Sequence, residues 1–172
     1  MSEINKFQSS ISETPRNLTA VVMFLPEIIK MDHARINVLC EEILCTPETP
    51  ARNAVFAKLA REMQLHIVAE EEVLYSLFAE DPQWAAFMQE SVHENRQIEE
   101  RVHAMRWMNL DSAYFESQLA TLQADFMRHA IEEEQCLLPL LEKQKSAQEL
   151  VTLTRRYQQA KLRHEHDDLL AS

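Results

Sequence analysis

His66 and Glu70 stand four residues apart, and so do His129 and Glu133. On a helix that spacing sends an imidazole and a carboxylate from one face. The surrounding runs match as well. HIVAEEEVLYSLF (66–78) aligns with HAIEEEQCLLPLL (129–141) at His66/His129, Glu70/Glu133, Glu71/Glu134, Leu74/Leu137 and Leu77/Leu140, an offset of 63 residues. A glutamate-rich chain also yields such pairs as solvated ion pairs, so their place in the hydrophobic pattern decides. One stripe reads Phe115, Leu119, Leu122, Phe126, His129, Glu133, Cys136, Leu140, and another Val55, Leu59, Met63, His66, Glu70, Val73, Leu77. In both, the polar pair interrupts the face that must be buried. A third stripe, Leu25, Ile29, His33, Ile36, Cys40, Ile43, carries one more histidine inward.

A fourth stripe, Trp84, Met88, Val92, Ile98, Val102, Met105, passes beside His93 rather than through it. Depth gives an independent measure. Counted from the expected turns at about 1.5 Å per residue, His33, His66, His93 and His129 fall at one level within roughly 5 Å. Four imidazoles and two carboxylates at one depth in an apolar interior cost several kcal/mol if left unpaired. A pair of metal ions removes that cost, because carboxylates bridge two cations and imidazoles complete each shell. Nitrogen and oxygen ligands without thiolate suit iron or manganese, and also zinc. Iron is the choice where dioxygen or redox chemistry is the purpose. The expected metal residues are His33, His66, Glu70, His93, His129 and Glu133.

The runs MDHAR, HIVAEEEVL, ESVHENR and RHAIEEEQCLLPLL, in that order, resemble the hemerythrin-like (HHE) cation-binding domain over about residues 22–143. The resemblance implies a four-helix bundle around a non-haem di-iron centre. By it, His33, His66, His93 and His129 are terminal iron ligands, and Glu70 and Glu133 are the two carboxylate bridges. Oxygen-carrying hemerythrins have a fifth histidine, four residues from the other on the third helix, where this chain has Gln89 and Gln97. Their second bridge is an aspartate one position further on, where this chain has Glu134. The chain is therefore similar to the broader four-histidine branch, which includes iron- and oxygen-sensing domains. One iron is left short of a protein ligand, open to water, dioxygen or nitric oxide.

The elements that must position these residues are helices. Apolar residues recur every three or four positions, and no segment alternates with period two. Helices are expected near 19–45, 50–79, 82–108, 112–143 and, more polar, 146–169. Thr49-Pro50 and Asp81-Pro82 read as caps followed by proline at the first helical position, and Asp111 as the cap of a third start. Pro26 and Pro139, inside helical patterns, start or kink a helix. The expected fold is all-α, an up-down-up-down four-helix bundle with an additional C-terminal helix. Residues 1–18 read as a flexible N-terminal lead-in and 19–172 as a single domain. The chain has 172 residues and no glycine, where average usage would give about 12. That excludes phosphate-cradling loops and dinucleotide fingerprints.

A net charge of −11 argues against nucleic acid or an anionic membrane as partner. The polar N-terminus lacks the apolar run of a signal peptide, no segment is long enough to span a membrane, and three cysteines at no metal-ligand spacing read as reduced thiols. These features place the protein in the cytoplasm. Cys40 and Cys136 read as small core residues, and His103, His164 and His166 as solvated. Glu71, Glu72, Glu132 and Glu134 read as a charged outer face, with a hydrogen bond to a ligand imidazole the lesser reading. The function expected is a di-iron protein binding dioxygen or a related small molecule (nitric oxide, peroxide) for sensing, storage or stress protection. The alternatives are a di-iron enzyme consuming peroxide or nitric oxide, and a metal-free helical interaction module.

Overall fold

The computed structural model describes residues 23–171, with side chains to His166. The lead-in expected over 1–18 lies outside the described residues. Among these there are helices and no strand. α1 spans Leu25–Cys45. α2 spans Thr49–Ala69 and runs on through a π turn, Glu70–Leu74, and a 3-10 turn, Tyr75–Leu77. α3 spans Ala85–Met105. α4, Ala113–Glu132, continues through a second π turn, Glu133–Leu137, into α5, Leu138–Gln144, and α6 spans Ala147–Ala171. Short connections make chain neighbours antiparallel. α1 packs on α2 and α4, α3 packs on α4 and α2, and α6 lies against α1 and α2. This is the four-helix bundle with an additional C-terminal helix.

Side chains and prolines close the turns. Pro26 and Pro50 sit in the first turns of α1 and α2, where no amide proton is needed. Two expected caps are displaced by one residue or reassigned. Ser112, not Asp111, caps α4 by accepting the Phe115 amide at 3.1 Å. The Thr49 hydroxyl donates to Asp111 at 2.6 Å instead of capping α2. Arg52 donates to the carbonyls of Thr46 and Leu110, so the turns at one end of the bundle are tied together. Asp81 accepts the Gln83 amide at 2.9 Å and opens a turn before α3 begins at Ala85.

The interior is two apolar clusters. One holds Ile36, Leu59, Met63, Ile98, Leu119 and Phe126, among others. The other holds Leu25, Ile29, Val73, Leu74, Leu137 and Tyr157, among others. His33, His66 and His129 each lie on the chain where one cluster gives way to the other.

The π turns correct the expected stripes. Each begins at the glutamate of a His-x-x-x-Glu pair, and each closes with a bond five residues back, Tyr75 N–H to the Glu70 carbonyl and Leu138 N–H to the Glu133 carbonyl. One extra residue rotates the remainder of the helix by about 100°. Beyond Glu133 the buried positions are therefore Leu137, Leu138 and Leu141, while Cys136 is exposed. Beyond Glu70 the core keeps the expected Val73 and adds Leu74, Tyr75 and Phe78, while Leu77 is only partly buried. Cys40 is in the core as expected; Cys136 is not, because the π turn has rotated it out. Pro139 comes after the second π turn but has no counterpart after the first, so proline is not the common cause. Leu137→Ala should lower stability in urea denaturation by about 2–5 kcal/mol. Cys136→Ala should change it by less than about 0.5 kcal/mol; the reverse order would contradict this register.

Candidate metal centre

Between the two clusters lies a polar layer. His33 (2% exposed) comes from α1, His66 and Glu70 (both 0%) from α2 and its π turn, and His129 (1%) and Glu133 (0%) from α4 and its π turn. Their inward atoms converge. His33 Nε2 stands 3.7 Å from Glu70 Oε1 and 3.4 Å from Glu133 Oε2. His66 Nε2 is 3.2 Å from Glu70 Oε2, and His129 Nε2 is 3.8 Å from Glu133 Oε1. One ligand atom from each of His33, His66, Glu70 and Glu133 lies within 4.8 Å of the others. These separations are too long for hydrogen bonds, or lack their geometry. His33 Nε2, His66 Nε2, both Glu70 oxygens and Glu133 Oε2 are buried without a partner. Buried polar atoms in natural proteins are almost always satisfied, so a cluster of unsatisfied ones aimed at a common point describes the shell of a cation.

The outer nitrogen of each ring is held by a different group. His33 Nδ1 donates to Glu134 at 2.8 Å and His129 Nδ1 to Glu94 at 2.9 Å. Glu94 is in turn paired with Arg128. His66 Nδ1 donates to the Tyr157 hydroxyl of α6 at 3.0 Å, and that hydroxyl donates to Asp32 at 2.8 Å. Lys161 Nζ closes on the same Asp32 oxygen at 2.9 Å. Each outer bond fixes the tautomer of a neutral ring, whose Nε2 lone pair then faces inward, the arrangement found around metal-bound imidazoles. Burial works to raise the Asp32 carboxyl, but His66 and Lys161 hold it well below the usual carboxylate range.

Tyr75, at the end of the first π turn, enters the same layer. Its hydroxyl donates to Glu133 Oε1 at 2.6 Å and lies 3.1 Å from His129 Nε2, with Asn95 Nδ2 donating to it at 3.4 Å. Burial, and then the Glu133 and Glu70 charges, keep its phenol protonated far above the ordinary range.

Of the six residues expected from sequence, five are brought together and His93 is not. His93 is exposed and accepts from Gln97 Nε2–H at 3.0 Å. α3 instead buries Met88, Ser91, Glu94, Asn95, Ile98, Val102 and Met105. His93 sits two residues, about 200°, from both Ser91 and Asn95, so its depth is right and its direction wrong. Ser91 and Asn95 on the inward stripe are polar, so apolar spacing does not mark that face. Glu134 follows the lesser of its two expected readings: still partly exposed, it accepts from His33 Nδ1. Tyr75, Glu94, Asn95 and Tyr157 carried no sequence signal beyond their register. His103 is exposed as expected and lines a cleft of about 310 Å³ between α2 and α3, beside Met63, Ile67, Ile98 and Val102. His164 approaches Glu72 at 3.8 Å.

The model of the Hemerythrin HHE cation binding domain family matches residues 25–141. Comparison with curated proteins finds no match. Among solved structures, the crystal structure of a Hemerythrin HHE cation binding domain-containing protein from Mycobacterium kansasii is similar, with a TM-score of 0.67 and 21% identity. The likeness covers 81% of this chain and 88% of that one, and at such identity it speaks for the fold.

With no cation bound, the layer must balance its own charges. Burial, and then Glu133, raise the Glu70 carboxyl. Burial acts on Glu133 in the same sense, but His33, His129 and Tyr75 hold it at about 2. Burial disfavours the His33 imidazolium, yet Glu133 and Glu70 outweigh it and raise the group to about 10 from 6.5. The metal-free centre thus keeps a positive charge on His33 itself. A raised imidazole contributes stability that is complete below its unfolded pKa of 6.5 and is lost as pH rises through about 10. Urea midpoints of metal-free protein should therefore fall between pH 6.5 and 10, and His33→Gln should remove that part of the slope. An unchanged alkaline slope in the variant would refute the assignment.

Proposed function

Because the chain belongs to the hemerythrin HHE cation-binding domain family, we propose that the buried layer holds two iron ions and binds dioxygen or a related small molecule, nitric oxide or peroxide. The biological purpose would be sensing, storage or stress protection. The set of unpartnered inward atoms on His33, His66, Glu70 and Glu133 carries this reading. Imidazole nitrogens and carboxylate oxygens without a thiolate fit iron, and would also accept manganese or zinc. Redox use of the site favours iron.

His33 and His66, with Glu70 and Glu133, would hold one ion, and His129 with Glu133 the other. A bridging role for Glu133 is supported by its two oxygens, one facing His33 and one facing His129. His93 is left out of the ligand set because it is exposed on the far side of α3. Bound iron would supply one-electron redox chemistry and coordination positions that three imidazoles and two carboxylates leave free.

The chain's own residues do the rest. Phe126 presents its ring edge-on to His33 and His66, with centroids 5.8 and 5.7 Å away, and walls water from that side of the layer. Tyr75 holds a proton at Glu133 Oε1, oriented by Asn95. That buried hydroxyl favours a second reading, an enzyme consuming peroxide or nitric oxide, since it could donate a hydrogen bond to such a ligand in a site closed to water. Exposed free thiols at Cys45 and Cys136 fit a reducing compartment such as the cytoplasm.

Anaerobic loading should give about two irons per chain, with oxo-bridged ferric bands after oxidation. His66→Ala and Glu133→Ala should lose iron, and His93→Ala should keep it. Equal iron in His66→Ala, Glu133→Ala and wild type would refute the ligand set. A wild-type protein that takes up no iron, manganese or zinc would leave the metal-free interaction module. Turnover of peroxide or nitric oxide above that of free iron would decide for the enzyme, and reversible binding without turnover against it.

A further inference from the structure

α6 lies wholly beyond residues 25–141, the stretch that the cation-binding family accounts for. Its apolar residues Leu150, Leu153 and Ala160 join the cluster formed by Leu25, Ile29, Val73 and Leu74. For that purpose a phenylalanine would serve at position 157 as well as a tyrosine. The tyrosine is 0% exposed. A hydroxyl buried without partners is destabilising, so the group at the ring's tip needs an explanation that packing does not give.

Its two bonds supply one. The hydroxyl accepts from His66 Nδ1 at 3.0 Å and donates to Asp32 Oδ2 at 2.8 Å, and Lys161, four residues on in the same helix, fixes that oxygen at 2.9 Å. The directions are forced. Lysine only donates and carboxylate only accepts, so the tyrosine proton points to Asp32 and its oxygen can only receive the Nδ1 proton of His66. The chain Lys161, Asp32, Tyr157, His66 therefore admits one tautomer, with Nε2 unprotonated and facing Glu70. The outer nitrogens of His33 and His129 are held instead by glutamates on the bundle helices themselves. His66 has no such neighbour within hydrogen-bond reach, Asp32 standing 3.7 Å away.

We propose that Tyr157 is a positioning residue of the metal centre, and that α6 is the element that holds His66 in its ligating tautomer and ring orientation. This rests on His66 being a ligand, as proposed above. Loss of an outer hydrogen bond to a metal-bound imidazole weakens metal retention by about 10- to 100-fold.

The test uses full-length protein loaded with ferrous iron under anaerobic conditions, and follows release to a chromogenic ferrous chelator. Tyr157→Phe should release iron at least about tenfold faster than wild type. At full occupancy it should also shift the ferric absorption bands, a readout that a merely packed ring would not move. Asp32→Ala removes the acceptor one link further out without altering a residue of α6, and should release iron faster as well, so it decides the matter if Tyr157→Phe fails to fold. Release and bands equal to wild type in the folded variants would overturn the positioning role while leaving the metal centre standing. A wild-type protein that binds no iron would remove both.

Discussion

Charge held away from water is the constraint around which this molecule is arranged. Two carboxylates and three imidazoles occupy a single layer between two apolar clusters, and in that setting each ionised group has lost its hydration. The structure answers in two directions at once. Outward-facing ring nitrogens are given protein partners, one apiece. Inward-facing atoms are gathered at a point, and all but Glu133 Oε1 and His129 Nε2, which meet Tyr75, are left bare. A surface ion pair needs neither measure, and a layer stabilised only by internal pairing would not leave five nitrogen and oxygen atoms on four side chains without partners.

Backbone geometry serves the same layer. Both glutamates are the first residues of π turns, and these turns repeat at the 63-residue offset of the sequence repeat. Where hydrogen bonds pass from four residues back to five, the helix widens and the side chains beyond it change direction. The first such turn ends beside Tyr75, which then reaches across to Glu133 and His129 in the other half. The two halves of the bundle therefore do not contribute identical sets. One supplies a phenol to the other's carboxylate, and α6 has no counterpart in either.

Much of this was legible in the residues, and the gaps have physical reasons. The helices, their antiparallel order and five of the six site residues follow from apolar spacing, because a polar residue that interrupts a buried stripe has nowhere else to be. Depth counted along helices also placed His93 correctly along the axis. Its direction around α3 did not emerge, since the inward positions there are Ser91 and Asn95, and a stripe drawn only through apolar residues drifts off course across them. The π turns produced the other errors. Spacing rules assume 3.6 residues per turn, so Cys136 and Leu140 were assigned the places that Leu137 and Leu141 hold. Glu134, Glu94 and Tyr157 act through contacts between residues distant along the chain, on which local periodicity is silent.

The extra residue in each π turn also bears on how relatives are lined up with this chain. A related helix that continues regularly past its glutamate reaches the same core position one residue sooner. Matched without a gap, its core leucine would fall opposite Cys136, and an exposed thiol would pass for a substitution in the interior. A single-residue gap just after Glu70 and Glu133 restores the correspondence. Length differences of one residue at those two places are then changes of backbone geometry rather than lost or gained loops.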